Sequence, residues 1–166
     1  RKKGGKTMTY EDFRRRARIV EEAFAKHLTD PIWATPQQDF QEHWDVRGKL
    51  CDVDLKFDVK GMKKKNRYDQ SFQDECAWVE GTNVRGKPGW LKGQADYIVF
   101  ERQDCWLVVK RENLRTFVFE KLRDKGYEEG KGPYLVYQRA GRQDRITMVP
   151  FVDIEKIEET FKLEKK

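Results

Sequence analysis

The chain has 166 residues, a formal net charge of +6 and a mean hydropathy of −0.95, with 39% charged and 13% aromatic residues. That aromatic content excludes a disordered chain, and the length is that of one domain, 1–166, able to bury its own core. No apolar run approaches the ~20 residues of a membrane helix, and the basic balance favours a polyanionic partner.

Residues 1–8 read as a mobile basic arm. No apolar stretch follows it, so no secretory signal is expected, and without an initiating Met the sequence is expected to extend upstream. Thr9 and Asp12 form a capping-box pattern that opens a helix over 9–27. Phe13, Ala17, Val20, Phe24 and Leu28 recur on it at helical spacing and predict its buried stripe. Asp30-Pro31 and Thr35-Pro36 mark a loop. A strand is predicted over 40–47. Residues 53–60 then alternate without a break: Val53, Leu55, Phe57 and Val59 face one way, Asp54, Lys56, Asp58 and Lys60 the other. Gly61 ends that strand, and the basic run Lys63-Lys64-Lys65-Asn66-Arg67 follows.

A third strand is predicted over 77–80, then a Gly-rich stretch over 86–93, then strands over 97–100 and 106–109. Residues 112–125 read as a helix with Leu114, Phe117, Val118 and Leu122 inward and Gly126 just past its end. A hairpin over 134–139 and 145–149 and a helix from 153 close the chain. The order predicts an α/β or α+β domain around a mixed sheet. No GxGxxG and no P-loop occurs.

Cys51, Cys76 and Cys105 are odd in number and widely spaced, without a CxxC. They read as reduced thiols of an intracellular protein, not a disulfide framework or a structural zinc site. His27 and His43 are the only histidines, so chemistry here would rest on carboxylates, lysine and a metal. Asp58 and Lys60 share the polar face of their strand, as they would on any solvated face. Asp45 lies thirteen positions before Asp58. A tight turn at Gly48-Lys49 would set Asp45 opposite Asp52; a wider one near Cys51-Asp52 would set it opposite Asp58.

Trp44-Asp45 and Phe57-Asp58-Val59-Lys60-Gly61, with the element order over roughly 9–125, resemble the PD-(D/E)xK nuclease superfamily. The spacing and the small basic domain look most like archaeal-type Holliday-junction resolvases and phage- or virus-encoded nucleases. Gly89-Trp90-Leu91 with Gly93, Ala95, Asp96, Tyr97 and Ile98 is also similar to phage nuclease-like proteins. This chain departs from the pattern in having no Pro before Asp45 and Asp instead of Glu at 58.

The resemblance implies a restriction-endonuclease-like αβββαβ core with a mixed central sheet, plus the C-terminal hairpin and helix. It implies a metal-dependent DNA endonuclease of the junction-resolving kind, working as a homodimer with Mg²⁺, or Mn²⁺ in its place, and with no organic cofactor and no membrane. Asp45, Asp58 and the Val59 carbonyl would hold the metal and Lys60 would act on the attacking water. Glu21 would be a further ligand from the first helix, and Glu80 would face the same cleft. Lys63, Lys64, Lys65 and Arg67 would grip phosphates. Arg85, Lys87 and Trp90 would enter a groove, with Arg14, Arg15, Arg16 and Arg18 extending the track. Trp78 and Trp106 are expected in the core. The alternatives are a non-catalytic nucleic-acid-binding module of the same fold, a restriction-like nuclease on ordinary duplex DNA, and a basic protein with an acidic protein partner.

Overall fold

The computed structural model describes residues 9–66, 68, 69 and 71–166; the basic arm 1–8 and Arg67 lie outside the described residues. Thr9 caps helix α1 (Tyr10–Ala25): its hydroxyl accepts from the Asp12 N–H, and the Asp12 carboxylate accepts from the Thr9 N–H. Only the second half of the expected stripe is buried. Phe24 and Leu28 enter the core, whereas Phe13 is 53% exposed and Ala17 is exposed.

The segment expected as a loop contains strand β1 (Thr29–Trp33), antiparallel to β2 (Val46–Leu50). Pro31 is tolerated there because β1 is the edge of its sheet and its ladder is irregular between Thr29 and Ile32. Residues 40–47 do not form one strand. Thr35 caps a helix, α2 (Pro36–Glu42), through a second capping box with Gln38 and a Pro in the first turn. The helix stops at His43, which adopts the left-handed conformation (φ 56°).

Strand β2 returns as β3 (Val53–Lys60) through Cys51 and Asp52, both at positive φ (50° and 64°). That is the twist a two-residue hairpin needs. Leu50 pairs with Val53 and Val46 with Phe57, so the turn forms at Cys51-Asp52 and not at Gly48-Lys49. The Asp45 N–H donates to the Phe57 carbonyl at 2.8 Å, which places Asp45 beside Asp58.

The meander holding the motif is thus β1, β2 and β3. Beyond it, β4 (Lys63–Lys64) pairs with β5 (Phe72–Gln73) in a two-residue ladder. The strand expected over 77–80 is β6 (Cys76–Thr82), but it does not join the meander; it pairs with β9 (Arg145–Pro150) in a separate ribbon. A 3₁₀ turn over Trp90–Lys92 leads to β7 (Tyr97–Glu101), parallel to β3, and then to β8 (Cys105–Lys110) and helix α3 (Arg111–Asp124). The crossover from β3 to β7 therefore carries no α-helix among its described residues. Residues 134–139 touch β9 only through isolated bridges. The final helix is a single turn, α4 (Phe151–Ile154), and the chain ends in β10 (Phe161–Glu164) on β8.

The fold is α+β with a six-stranded mixed sheet, β1-β2-β3-β7-β8-β10, antiparallel except for β3 and β7. Two apolar layers cover it. Phe24, Ala25 and Leu28 of the α1 side pack on Val46, Phe57, Val59, Val99 and Val108. On the other face, Leu114, Val118 and Leu122 of α3 and Ala77, Val79 and Val149 of the ribbon pack on Ile98, Phe100, Leu107 and Val109. Alternation along β3 sends Phe57 and Val59 toward α1, and so sends Asp58 and Lys60 toward the ribbon. Among the described residues no helix is long and apolar enough to cross a membrane.

Candidate functional site

Asp58 is only 3% exposed. Its Oδ1 lies 2.7 Å from the Lys60 ammonium, and its Oδ2 is buried with no hydrogen-bond partner. Buried polar atoms are nearly always bonded, so an orphaned carboxylate oxygen marks a place built for something else. Lys60 Nζ also lies 4.8 Å from the centre of the Trp90 ring. Burial pulls that ammonium down, but Asp58, Asp45 and Glu80 outweigh it and hold its pKa above the ordinary value.

Asp45 stands at the mouth of β2 and accepts the Val59 N–H at 2.7 Å. In an extended strand the N–H and C=O of one residue lie on the same edge. The Val59 carbonyl is therefore directed to the side occupied by Asp45, just before the first β2 residue. Burial, then the charge of Asp58, pushes the Asp45 carboxyl up to about 9, against the pull of Lys60 and the Val59 N–H. Two carboxylates, one carbonyl and one ammonium thus meet where β2 begins and β3 ends.

Glu21 and Glu80 approach from opposite layers. Desolvation raises the Glu21 carboxyl, and Arg18, 3.8 Å away, counteracts it; Asp39 and Asp58 add their repulsion. Desolvation likewise raises Glu80, while Lys60 and His43 favour its charged form. Gly89 makes this possible. A Cβ there would stand 2.7 Å from Glu80 Cγ, whereas the bare backbone lets the Trp90 N–H reach the Glu80 carboxylate. Glu22 pairs with Arg18 at 3.2 Å and stays out of the site.

The donor set fits a hard divalent ion in part. Oxygen-only coordination by a carboxylate pair, a carbonyl and water is what such ions take, and the unpartnered Asp58 Oδ2 is a vacant donor. Among the described residues, however, no three Asp, Glu, His or Cys side chains are placed to hold a metal. Glu21 acts on the pair through its charge and does not close a three-acid ligand set.

Lys60, Lys63, Glu80, Trp90, Lys131, Tyr137 and Arg139 line one cleft of about 700 Å³. Lys63 reaches it from β4, its ammonium lowered by desolvation and then by Lys60 and Arg139. Lys65 is exposed beside it, and Lys64 belongs to the same short ladder. Trp90 is not a wedge for DNA. It is 8% exposed and packs on Phe100 as the floor beneath Lys60. Arg85 and Lys87 are exposed on the preceding loop, Arg85 lying over the Phe40 ring at 5.4 Å. Arg18 lies over Trp33 at 3.5 Å and pairs with Glu22, so its guanidinium already has partners within the chain. Trp106 is in the core as expected, whereas Trp78 is half-buried and lines the cleft. Asp96 braces the far end of β3, accepting the Lys56 N–H at 2.8 Å, and Asp54 is taken up by Arg47.

Sequence reasoning missed Asp39 and His43. Asp39 is raised by desolvation and by Asp58, and His43 Nε2 donates to the Pro88 carbonyl at 3.1 Å. Their signal was Thr35-Pro36-Gln37-Gln38, a capping box with Pro at its first helical position, which places Asp39 in the first turn of α2 and His43 one turn later at its C-terminal end. Arg139 was missed because its partner, Asp144, is brought to it by a turn with no short motif.

No protein-family model matches the chain, and no curated protein matches it. Among solved structures, that of a bacterial homing endonuclease, I-Ssp6803I, is similar at 17% identity and a TM-score of 0.38, over 68% of this chain and 74% of that one.

Proposed function

We propose that the chain is a metal-dependent endonuclease that hydrolyses phosphodiester bonds in DNA, with Asp45, Asp58, the Val59 carbonyl and Lys60 at its centre. The observation that carries this reading is the buried, unpartnered Oδ2 of Asp58 beside a second carboxylate and an ammonium. A bound Mg²⁺ or Mn²⁺ would supply an activated water and neutralise charge on the phosphate. The two Asp side chains and the carbonyl offer the oxygen donors. Lys60, on its Trp90 floor, holds a proton-donating group where a water or a phosphate oxygen would sit. The cleft beside Lys60 has a volume of about 700 Å³, and the net charge of +6 favours a polyanion there. Four-way junctions cut by a symmetric pair of subunits are the first substrates to try, because two matched cuts need two such centres.

The test uses a supercoiled plasmid, a linear duplex and a synthetic junction, each with Mg²⁺, Mn²⁺ or EDTA. Metal-dependent cleavage is expected, with Asp58→Asn and Lys60→Met each lowering the rate by about 100-fold or more. Both variants should still bind DNA. Cleavage in excess EDTA, or an Asp58→Asn variant as fast as wild type, would overturn the assignment.

A further inference from the structure

One wall of the cleft that Lys60 lines carries a cation that the catalytic centre does not use. The backbone N–H of Arg139 donates to Asp144 Oδ1 at 3.1 Å, and its guanidinium Nε donates to Asp144 Oδ2. Asp144 is fully buried, while the Arg139 side chain is 40% exposed. The turn between them is tied down. The Arg142 N–H donates to the Arg139 carbonyl at 3.1 Å, Gln138 Nε2 to the Arg142 carbonyl at 2.6 Å, and the Gln143 N–H to the Val84 carbonyl at 3.1 Å. Gly141 supplies the positive φ of 72° that the turn requires. The guanidinium is thus anchored by one edge. Among the described residues its two terminal NH₂ groups donate no hydrogen bond, although a fork of that shape is suited to a phosphate.

A purely structural ion pair would bury the arginine head with its partner, since an exposed fork adds little stability. Here the carboxylate is buried and the fork is left in the cleft. The neighbours agree with an anionic occupant. Lys63 feels the repulsion of both Lys60 and Arg139. Trp78 and Tyr137, ring centres 5.9 Å apart, and Lys131, 5.7 Å from the Tyr137 ring, complete that wall. Glu80 and Glu101 are the acids facing the same space.

We infer that Arg139, oriented by Asp144, clamps a backbone phosphate of the bound nucleic acid in the cleft that Lys60 also lines. This rests on the nuclease reading. The charge-neutral double replacement Arg139→Gln/Asp144→Asn isolates the contact, because it removes the fork without changing the net charge. Binding of a duplex oligonucleotide is measured in EDTA over a salt series, beside a melting curve of each protein. A loss of about 10-fold in affinity and a slope shallower by about one unit are expected. A second variant, Arg139→Lys, keeps the charge and the Asp144 partner should the double variant not fold. It should lose affinity several-fold with an unchanged slope. A folded double variant that binds like wild type, or an Arg139→Lys protein with full affinity, overturns the clamp alone. A wild-type protein that binds no DNA overturns the nuclease reading and the clamp with it.

Discussion

Asp45 and Asp58 are the same side chain in unequal surroundings. Asp58 has an ammonium at 2.7 Å; Asp45 has a peptide N–H and a neighbouring negative charge. The result is a carboxyl at Asp45 whose pKa rises from 3.8 to about 9. An acid raised on folding binds its proton more tightly in the native state, so stability falls wherever the native chain holds more protons than the unfolded one. The contribution of Asp45 is therefore fully present below its unfolded pKa of about 4 and is lost as pH rises toward 9. In EDTA, the melting temperature of the wild type should decline from pH 5.5 to 8.5, and Asp45→Asn should flatten that decline. Glu21, Asp39 and Glu80 are raised by desolvation as well and contribute a slope of the same sign above the ordinary carboxylate range. Binding of Mn²⁺ needs the ionised carboxylate, so it should tighten with pH and release a proton, which calorimetry in buffers of different ionisation heat would count. Parallel melting curves for wild type and variant would show that Asp45 does not govern the window.

The β2–β3 hairpin sets which acids meet, and its turn is made of two residues poorly suited to it. Cys51 and Asp52 both hold positive φ, a conformation that Asn-Gly adopts with less strain. Cys51→Asn/Asp52→Gly should raise stability by about 1 kcal/mol, read as a higher melting temperature. Cleavage should not change, because the pairing of Val46 with Phe57 is kept. A loss of activity would show that the turn itself touches substrate. The same hairpin shows what a sequence makes legible. Residues 53–60 alternate because one face of β3 packs on α1 and the other carries charge, so Asp58 and Lys60 could be read directly, and Asp45 once a turn was chosen. Helix α3 was legible from its apolar spacing and from Gly126 beyond its end. The partners of strands were not. Val79 and Val149 look like ordinary strand residues, and nothing local tells that β6 takes β9 instead of the central sheet. Strand β1 was hidden by Pro31, which signals a loop unless the strand is known to be an edge. Strand β10 is four mostly exposed residues whose place on β8 is fixed only by the finished sheet.

Across the whole molecule, the positive charge acts at the cleft more than its net value suggests. Lys60, Lys63, Lys131 and Arg139 face one space, and Lys65 stands exposed just past β4. Glu80 and Glu101 share that lining but are outnumbered by the cations, so the cleft should draw a polyanion in before any close contact forms. Each phosphate neutralised there would release condensed counterions, giving a slope of log affinity on log salt of about −0.9 per contact on duplex DNA. Lys63→Ala/Lys65→Ala should flatten that slope by roughly two units and weaken binding to all sequences alike, since phosphate contacts carry no base information. The chemical step at saturating DNA should survive, because neither lysine touches the carboxylate pair. Binding titrations at four salt concentrations, with single-turnover cleavage beside them, separate the two effects. An unchanged slope would mean that the strand lies along the Arg139 wall and leaves the β4–β5 ladder to solvent. A lost chemical step with normal binding would instead place Lys63 at the reacting phosphate.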